Sequence, residues 1–277
     1  MSYNCDKKLK VAAVSLGCSK NRIDTEEILG YLSTRGWLVT ADYYKADLII
    51  VNTCGFIEEA QQEAVNTLLQ ISAAVNKNKT VIIAAGCLVE VFGSDIVNKI
   101  PNISGAIGVH SYFQLDQFLD DVFSGSKPVL VKKPTEEYHS LSSRILTRPV
   151  YSADVKIAEG CSNRCHYCLI PQIRGPYRSR PIEEIVDEVD QLLKRGAREI
   201  NLIAQDTTAY GSEIGSSHDI SFLIKKILQL PDRFWLRIMY TYPSRIDDRL
   251  IEAINSDDRI CRSEEHTSEL QSHSDLV

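Results

Sequence analysis

The sequence lacks any apolar run near the roughly 18 residues that a membrane-spanning helix requires. Its first residues, MSYNCDKKLK, also lack the apolar stretch of a secretory signal, so we expect a cytoplasmic protein with no membrane partner. An excess of positive charge is missing too. The formal net charge of −6 argues against generic electrostatic binding of nucleic acid.

The cysteines are arranged for metal binding rather than for disulfides. In a chain expected in a reducing compartment, eight cysteines indicate free thiols and metal ligands. Three of them form a C-x3-C-x2-C run, here called the loop cysteine set: Cys161, Cys165 and Cys168. A 4Fe-4S cluster ordinarily takes four cysteine ligands, so three would leave one iron open to a reacting ligand. A structural zinc site is the alternative, although such sites usually close with four ligands in paired units.

Residues 1–123 alternate short apolar runs with segments of helical periodicity. This pattern predicts a flavodoxin-like α/β domain, a parallel sheet covered by helices. The clearest strands, apolar at successive positions as strands buried on both faces are, comprise Val11–Val14, Leu48–Val51 and Val81–Ala85. Asp24 and Glu27 resemble a capping box, which predicts a helix start there and an end at Gly36. A further helix is indicated by one apolar stripe: Ile57, Ala60, Ala64, Val65, Leu68 and Leu69.

Three more cysteines follow predicted strands of this domain. Cys18, Cys54 and Cys87, here called the N-terminal cysteine set, each lie just past a strand's carboxyl end. In open α/β sheets these ends share one edge, where ligands collect, so the three thiols could converge on one cluster. A single cysteine there would most often be an inert buried residue. Three at equivalent positions favour convergence, whereas Cys5 and Cys261 have no such placement and are interpreted as incidental.

The second half of the chain predicts repeating βα units. Residues 124–150 contain several prolines and serines, which indicate a linker with a short strand or two. A second α/β domain is expected over 151–261, as the first part of a TIM-like barrel. Its predicted elements are strand Val155–Ala158, an amphipathic helix opened by Pro181, strand Glu199–Ala204, helix Ile220–Leu230, strand Trp235–Tyr240 and helix Ile246–Asn255. Barrel chemistry lies at the carboxyl ends of strands, where Gln205, Asp206 and Tyr242 would stand.

The segment 144–180 is basic, because seven lysines and arginines oppose only Asp154 and Glu159. An anionic cofactor or partner near the loop cysteine set would suit this charge, and a solvated basic face is the alternative. The seven residues are Arg144, Arg148, Lys156, Arg164, Arg174, Arg178 and Arg180.

The loop cysteine set, with Tyr167 just before its last member, resembles the signature of radical S-adenosylmethionine enzymes. In that superfamily the open iron binds the methionine part of S-adenosylmethionine, and reductive cleavage gives a 5'-deoxyadenosyl radical. Other motifs accompany it in order: VSLGCSKN at 14–21, NTCGFI at 52–57 and AGC at 85–87. Together, over residues 10–261, they resemble the methylthiotransferase family.

The resemblance implies a second 4Fe-4S cluster, held by the N-terminal cysteine set, whose open iron carries the sulfur to be transferred. One S-adenosylmethionine would methylate that sulfur, and a second would yield the radical that removes a β-hydrogen from the substrate. No side chain is implied as a catalytic acid or base. Tyr167 would pack near the adenine through its backbone, and Gln205 and Asp206 would contact cofactor or substrate. Ordinary polar loop residues are the alternative for those two.

Within the family, the motif at 14–21 and QDTTAYG at 205–211 are most similar to one branch. That branch methylthiolates the β-carbon of an aspartate in small-subunit ribosomal protein S-twelve, which is therefore the expected partner, with a flavodoxin or ferredoxin as reductant. The tRNA-modifying branch tends to show GQNVN and GCQMN at these two places, and neither is present. A tRNA methylthiotransferase and a non-catalytic iron-sulfur or metal protein are the alternatives.

Residues 262–277 depart from the family where a fourth barrel strand should form. They have no apolar periodicity and resemble a translated sequencing adapter, so we interpret them as non-native. The resemblance implies that the natural protein continues through further βα units and a small C-terminal β-domain, called TRAM, that helps bind the macromolecular substrate. The chain should then lack much of the cofactor pocket, which puts its activity on its own in doubt.

Overall fold

The structure is a computed structural model that describes residues 8–75, 79–134, 138, 141, 143–215 and 218–262. Its first part is a wholly parallel sheet of six strands: β1 (Lys10–Ser15), β2 (Leu38–Val39), β3 (Leu48–Thr53), β4 (Val81–Gly86), β5 (Gly105–Ile107) and β6 (Val129–Leu130). Their order is β2-β1-β3-β4-β5-β6. The first five strands therefore follow the flavodoxin-like order, which confirms the predicted fold class and puts the topological switch point between β1 and β3.

Five helices cover the two faces of this sheet: α1 (Ser19–Thr34), α2 (Glu58–Ala74), α3 (Cys87–Phe92), α4 (Ser94–Lys99) and α5 (Leu115–Phe123). Alternate residues of β3 enter two different apolar cores, because side chains of a strand alternate between faces. Leu48 and Ile50 pack with residues of α1 and α5, while Ile49 and Val51 pack with residues of α2, α3 and α4. The strands are therefore buried on both faces, as their unbroken apolar runs predicted.

Two details of the predicted helices are wrong. Helix α1 begins at Ser19 rather than near Asp24, because the chain turns at Gly17, whose φ is +80°, and enters the helix directly. Asp24 is consequently buried inside α1 and caps nothing. In α2 the buried face consists of Ala64, Leu68, Ile71 and Ser72, whereas Ile57 and Leu69 of the predicted stripe are exposed.

The second part of the chain holds a parallel sheet in the order β11-β10-β7 and a small antiparallel ribbon of β8 with β9. Its strands are β7 (Ser152–Lys156), β8 (Ala158–Glu159), β9 (Arg178–Ser179), β10 (Glu199–Ile203) and β11 (Trp235–Ile238). Its helices are α6 (Ile170–Ile173), α7 (Ile182–Lys194), α8 (Ile220–Ile227) and α9 (Asp248–Asn255). Successive βα units with neighbouring parallel strands agree with the predicted start of a barrel.

The barrel prediction needs small corrections at its boundaries. The predicted strand Val155–Ala158 is divided between β7 and β8, and α9 begins after Asp247, whose carboxylate accepts the Leu250 N–H at 2.9 Å. Ile260 forms a parallel bridge with Leu236 of β11, so the expected fourth strand starts to pair there. Five 3-10 turns complete the described elements: Tyr43–Lys45, Val109–Gln114, Thr207–Ala209, Ser212–Ile214 and Pro243–Arg245.

The predicted linker at 124–150 contributes β6 to the edge of the first sheet. Cys5 and residues 263–277 of the predicted non-native tail lie outside the described residues. The domain boundaries at 123, 150 and 261 stay predictions. Among the described residues, no helix combines the length and apolarity needed to cross a membrane.

Candidate functional site

The loops that carry the N-terminal cysteine set pack directly against one another. A Cβ added to Gly17, the residue before Cys18, would lie 2.6 Å from Cys54 Cβ. A Cβ added to Gly55, the residue after Cys54, would lie 2.8 Å from the Cys87 carbonyl oxygen. Glycine at 17 and 55 thus permits the close approach of three loops that follow β1, β3 and β4, at the edge where the strand order switches.

Burial differs among these three thiols. Cys18 is exposed, Cys54 is half-buried and Cys87 is buried. Burial raises the pKa of Cys87 to about 11, although the nearby Arg174 guanidinium opposes the shift. Burial also raises the pKa of Cys54, and the charge of neighbouring Cys18 raises it further. The charge of Cys18 also raises the pKa of Cys87, so it acts on both other thiols, as the close packing of the loops implies.

The loop cysteine set lies between β8 and α6, at the carboxyl end of the first barrel strand. Cys161 is buried, and Cys165 and Cys168 are half-buried. The Cys168 N–H donates to the Cys165 carbonyl at 3.1 Å, which closes a turn inside the loop. Burial raises the pKa of Cys161, and the nearby charges of Asp206, Cys168 and Cys165 raise it further.

Asp206 anchors this loop to the ends of β10 and β11. Only 2% of Asp206 is exposed, so its interpretation as an ordinary surface loop residue is wrong. Its carboxylate accepts from Asn163 of the cysteine loop at 3.0 Å and pairs with Arg245 at 3.2 Å. Arg245 also donates to the side-chain Oδ1 of Asn163 at 3.0 Å. A contact of Asp206 with cofactor or substrate stays a prediction.

Gln205 stands beside it, at the end of β10. Its Nε2 donates to Glu159 at 3.2 Å, while its buried Oε1 has no hydrogen-bond partner among the described residues. A buried acceptor without a partner needs a ligand or water to satisfy it. Tyr167, 83% exposed on the cysteine loop, and Tyr242, 42% exposed after β11, leave their rings available at the same strand ends.

The two cysteine sets meet at the dipeptide Arg174-Gly175. The Arg174 Nε lies 3.3 Å from Cys87 Sγ, and the Gly175 carbonyl accepts the Cys161 N–H at 3.1 Å. A second contact joins the same two edges, because the Lys20 ammonium donates to the Ala204 carbonyl at 3.2 Å. The carboxyl edge of the first sheet therefore faces the carboxyl edge of the barrel strands.

A buried ion network that sequence reasoning missed surrounds this junction; it consists of Asp24, Lys156, Glu159 and Arg174. Lys156 lies 2.5 Å from Asp24 and 3.1 Å from Glu159, and Arg174 lies 2.7 Å and 3.1 Å from the same two carboxylates. Burial favours a lower pKa for Arg174, but Asp24, Cys87 and Glu159 together raise it well above normal. Burial would raise the pKa of Glu159, yet Arg174 and Lys156 hold it well below normal.

Most of the basic segment 144–180 is paired with carboxylates of the chain itself. Arg144 pairs with Glu26 and Glu188, and Arg180 pairs with Glu188. For these cations the solvated basic face is therefore wrong, because their partners are carboxylates of the protein itself. An anionic cofactor or partner near the loop cysteine set stays a prediction. The sequence feature that could have indicated this pairing is the acidic residues of α1, Asp24 and Glu26, which lie among apolar residues rather than on a solvated face.

The donor chemistry of the two sets fits iron-sulfur clusters with one open iron. Each set offers three thiols and no fourth cysteine, which is the number such a cluster would use. Within the described ranges, no group of three or more Cys, His, Asp and Glu side chains already stands in a metal-binding arrangement. The fit rests on the donor types, on the glycines that bring three loops together, and on the unpartnered acceptor of Gln205.

Two family descriptions match the chain. Residues 10–108 match the family described as Uncharacterized protein family UPF0004, and residues 155–260 match the radical SAM superfamily, in which SAM is S-adenosylmethionine. The first range contains the N-terminal cysteine set and the second contains the loop cysteine set.

Curated relatives that carry the name ribosomal protein uS12 methylthiotransferase RimO align with both ranges. The relative from Clostridium acetobutylicum is 43% identical over 255 residues, and that from Clostridium novyi is 41% identical over 255 residues. Each alignment covers 92% of this chain and 57% of the relative. The chain thus spans a little more than half the length of the curated relatives it matches.

Solved structures with this fold include two radical enzymes. The radical SAM methyltransferase TsrM from Kitasatospora setae, with cobalamin and a 4Fe-4S cluster bound, aligns with a TM-score of 0.62 at 15% identity, over 92% of this chain and 60% of that chain. The cobalamin-dependent enzyme OxsB aligns with a TM-score of 0.55 at 12% identity, over 90% and 42%. These likenesses show the fold, and the sequence matches add the family: the chain belongs to the radical S-adenosylmethionine methylthiotransferase family.

Proposed function

We propose that this chain is the cluster-binding part of an enzyme that adds a methylthio group to the β-carbon of an aspartate in ribosomal protein uS12, the small-subunit protein S-twelve. The observation that carries the proposal is the meeting of two three-thiol sets at facing strand edges, joined by Arg174-Gly175. One set at each edge would give two cofactors access to one substrate. The relatives named for uS12 support the choice of substrate.

The proposed cofactors are two 4Fe-4S clusters and S-adenosylmethionine. When bound, they would supply the radical and the sulfur, which is the difficult part of the chemistry. The loop cysteine set would hold the cluster that binds S-adenosylmethionine, and the N-terminal cysteine set would hold the auxiliary cluster. The protein's part is then to hold six thiols, to orient the cofactor and to keep both edges together.

Three residues have proposed roles around S-adenosylmethionine. The buried Oε1 of Gln205 is an acceptor without a partner among the described residues, so it could receive a donor group of the cofactor. Asp206 fixes the cysteine loop through Asn163 and lies close enough to raise the pKa of Cys161. Tyr167 lies on that loop, and the proposed role of its backbone is to pack near the adenine.

The first experiment counts metal in this chain. Anoxic reconstitution should give about eight irons per chain, from two four-iron clusters. Cys54→Ala and Cys161→Ala should each remove about half of that iron, because each removes a ligand from a different set. A protein that takes up one zinc and no iron would contradict the two-cluster proposal.

The second experiment tests the reaction and the substrate. Because the chain spans 57% of its relatives, it is continued with the C-terminal part of the Clostridium acetobutylicum relative, and this chimera is placed in a strain that lacks its own enzyme. Mass spectrometry should find a methylthio group on ribosomal protein uS12 and none on tRNA nucleosides. A modified tRNA with unmodified uS12 would move the protein to the tRNA-modifying branch.

Matched cysteine variants of the chimera separate the two clusters. With a flavodoxin or ferredoxin system as reductant, Cys87→Ala should still release 5'-deoxyadenosine but form no methylthio product. Cys165→Ala should form neither, because the radical chemistry needs the loop cysteine set. Full methylthiolation by Cys87→Ala would show that Cys87 is not a ligand.

The proposed location of the protein is the cytoplasm, where its ribosomal substrate is made.

A further inference from the structure

Arg174 occupies an unusual position among the cations of this chain, because its guanidinium reaches a cysteine of the N-terminal set. Its side chain is 2% exposed, and its Nε donates to Cys87 Sγ at 3.3 Å. The same guanidinium donates to the Asn21 Oδ1 at 2.8 Å. Cys87 is buried as well, so this charged contact is shielded from solvent and from screening by salt.

Asn21 extends this contact to the other two cysteine loops. Its Nδ2 donates to the Leu16 carbonyl at 2.9 Å and to the Thr53 carbonyl at 3.0 Å. Leu16 lies two residues before Cys18, and Thr53 directly precedes Cys54. The Arg174–Asn21 pair therefore touches all three loops of the N-terminal cysteine set, through one sulfur and two backbone carbonyls.

We infer that Arg174, which the second domain contributes, is a positioning residue for the auxiliary cluster and raises its reduction potential. This inference rests on the proposed function, since it assumes that the N-terminal cysteine set holds a cluster. Reduction adds negative charge to a cluster, so a buried guanidinium that donates to a ligand sulfur stabilises the reduced form. The donor geometry of the guanidinium lets it serve Cys87 and Asn21 at the same time.

A simpler role for Arg174 would be to neutralise the carboxylates of the ion network, with no effect on the cluster. Lys156 is the control residue that separates the two roles. Both cations contact Asp24 and Glu159 at similar distances, and both are buried. In the hydrogen bonds among the described residues, however, Arg174 reaches Cys87, whereas the Lys156 ammonium reaches the two carboxylates. Substituting either one removes the same charge from the network, but Arg174 alone supplies a donor to the cysteine sulfur.

The test isolates the auxiliary cluster in this chain by changing all of the loop cysteine set to alanine. In that background Arg174→Gln and Lys156→Gln are reconstituted with iron and sulfide, and the midpoint potential is measured by redox titration followed by electron paramagnetic resonance. Arg174→Gln should shift the potential to a more negative value than Lys156→Gln does, and the spectrum of its reduced cluster should change. Equal shifts in the two variants would overturn the inference and leave Arg174 a structural cation.

A charge-conserving pair covers the case in which Arg174→Gln no longer holds iron. Arg174→Lys keeps the charge but loses the donor to Cys87, so its potential should lie below that of the parent, while Lys156→Arg should match the parent. Parental potentials in both variants would refute the role of Arg174. Failure of the parent background to bind any iron would instead refute the proposed auxiliary cluster, and the inference with it.

Discussion

Asp24 provides the sharpest test of how the two halves of the chain are held together. Asp24 lies in α1 of the first domain, while its partners Lys156 and Arg174 belong to the second. The exposed fraction of all three side chains is 4% or less. Asp24→Asn keeps the size of the side chain and removes its charge, so no cavity forms. The change leaves two buried cations with Glu159 as the remaining carboxylate of the ion network.

The expected loss in the free energy of unfolding is large. Removing one partner of a buried ion pair costs about 3–5 kcal/mol, because the remaining charge stays buried without compensation. Whole proteins are stable by only about 5–15 kcal/mol, so Asp24→Asn should remove roughly a fifth of the total or more. Urea denaturation under reducing conditions measures this loss, with fluorescence of Trp37 as the probe because that ring is 8% exposed in the first domain.

An exposed ion pair of the same kind is the control. Asp116 pairs with Arg35 at 2.7 Å, and about half of each side chain is exposed. Exposed pairs contribute about 0–1 kcal/mol, so Asp116→Asn should change stability little. If Asp24→Asn cost no more than Asp116→Asn, burial of the ion network would not be what stabilises the junction, and the argument would fail.

Two further predictions concern a glycine and a carboxyl group. Gly17→Ala should lower the iron bound by the chain as much as Cys54→Ala does, because the added Cβ would lie 2.6 Å from Cys54 Cβ. Gly36→Ala is the control: Gly36 has a similar positive φ, but a Cβ added there would meet nothing within 4 Å, so this variant should bind iron normally. Burial raises the pKa of Glu90 to about 7 from the ordinary 4.5, although hydrogen bonds from the N–H groups of His110 and Val109 oppose this shift. The Glu90 carboxyl group therefore binds its proton more tightly in the folded state than in the unfolded chain. Stability from Glu90 is then lost as pH rises from about 4.5 through 7. Glu90→Gln, which cannot ionise, should be more stable than the parent at pH 8 and not at pH 4 in urea denaturation, and equal stability at pH 8 would contradict the assigned burial.

Local sequence patterns predicted the sheet and the cysteine positions because those features depend on short stretches. Strand β3 is apolar at successive positions since both of its faces are buried, and a run of this kind needs no distant partner to be recognised. The spacing of the loop cysteine set likewise carries its own meaning. Convergence of the other three cysteines required one added rule, that parallel strands end at a common edge.

The ion network escaped prediction because its partners are far apart in the sequence. Asp24 and Glu27 have the spacing of a capping box, and the pattern is the same whether the helix begins there or continues through it. Only the cations at 156 and 174, more than a hundred residues away, explain why Asp24 is buried in mid-helix. A single arginine such as Arg174 has no spacing signal at all, so its contact with Cys87 becomes visible only in the structure.

Charge pairing across the junction also decides how the two cysteine sets are oriented. Asp24 faces Lys156 and Arg174, and Arg22 faces Asp154, so each domain contributes charges whose partners belong to the other. Glu26 faces Arg144 of the predicted linker, which adds a further pair to the same junction. A rotation of one domain against the other would leave several of these charges buried without a partner, and each such loss is costly. An apolar interface could tolerate sliding, since dispersion contacts have little directionality. The ion pairs therefore favour a single arrangement, and in that arrangement Arg174-Gly175 contacts Cys87 on one side and Cys161 on the other.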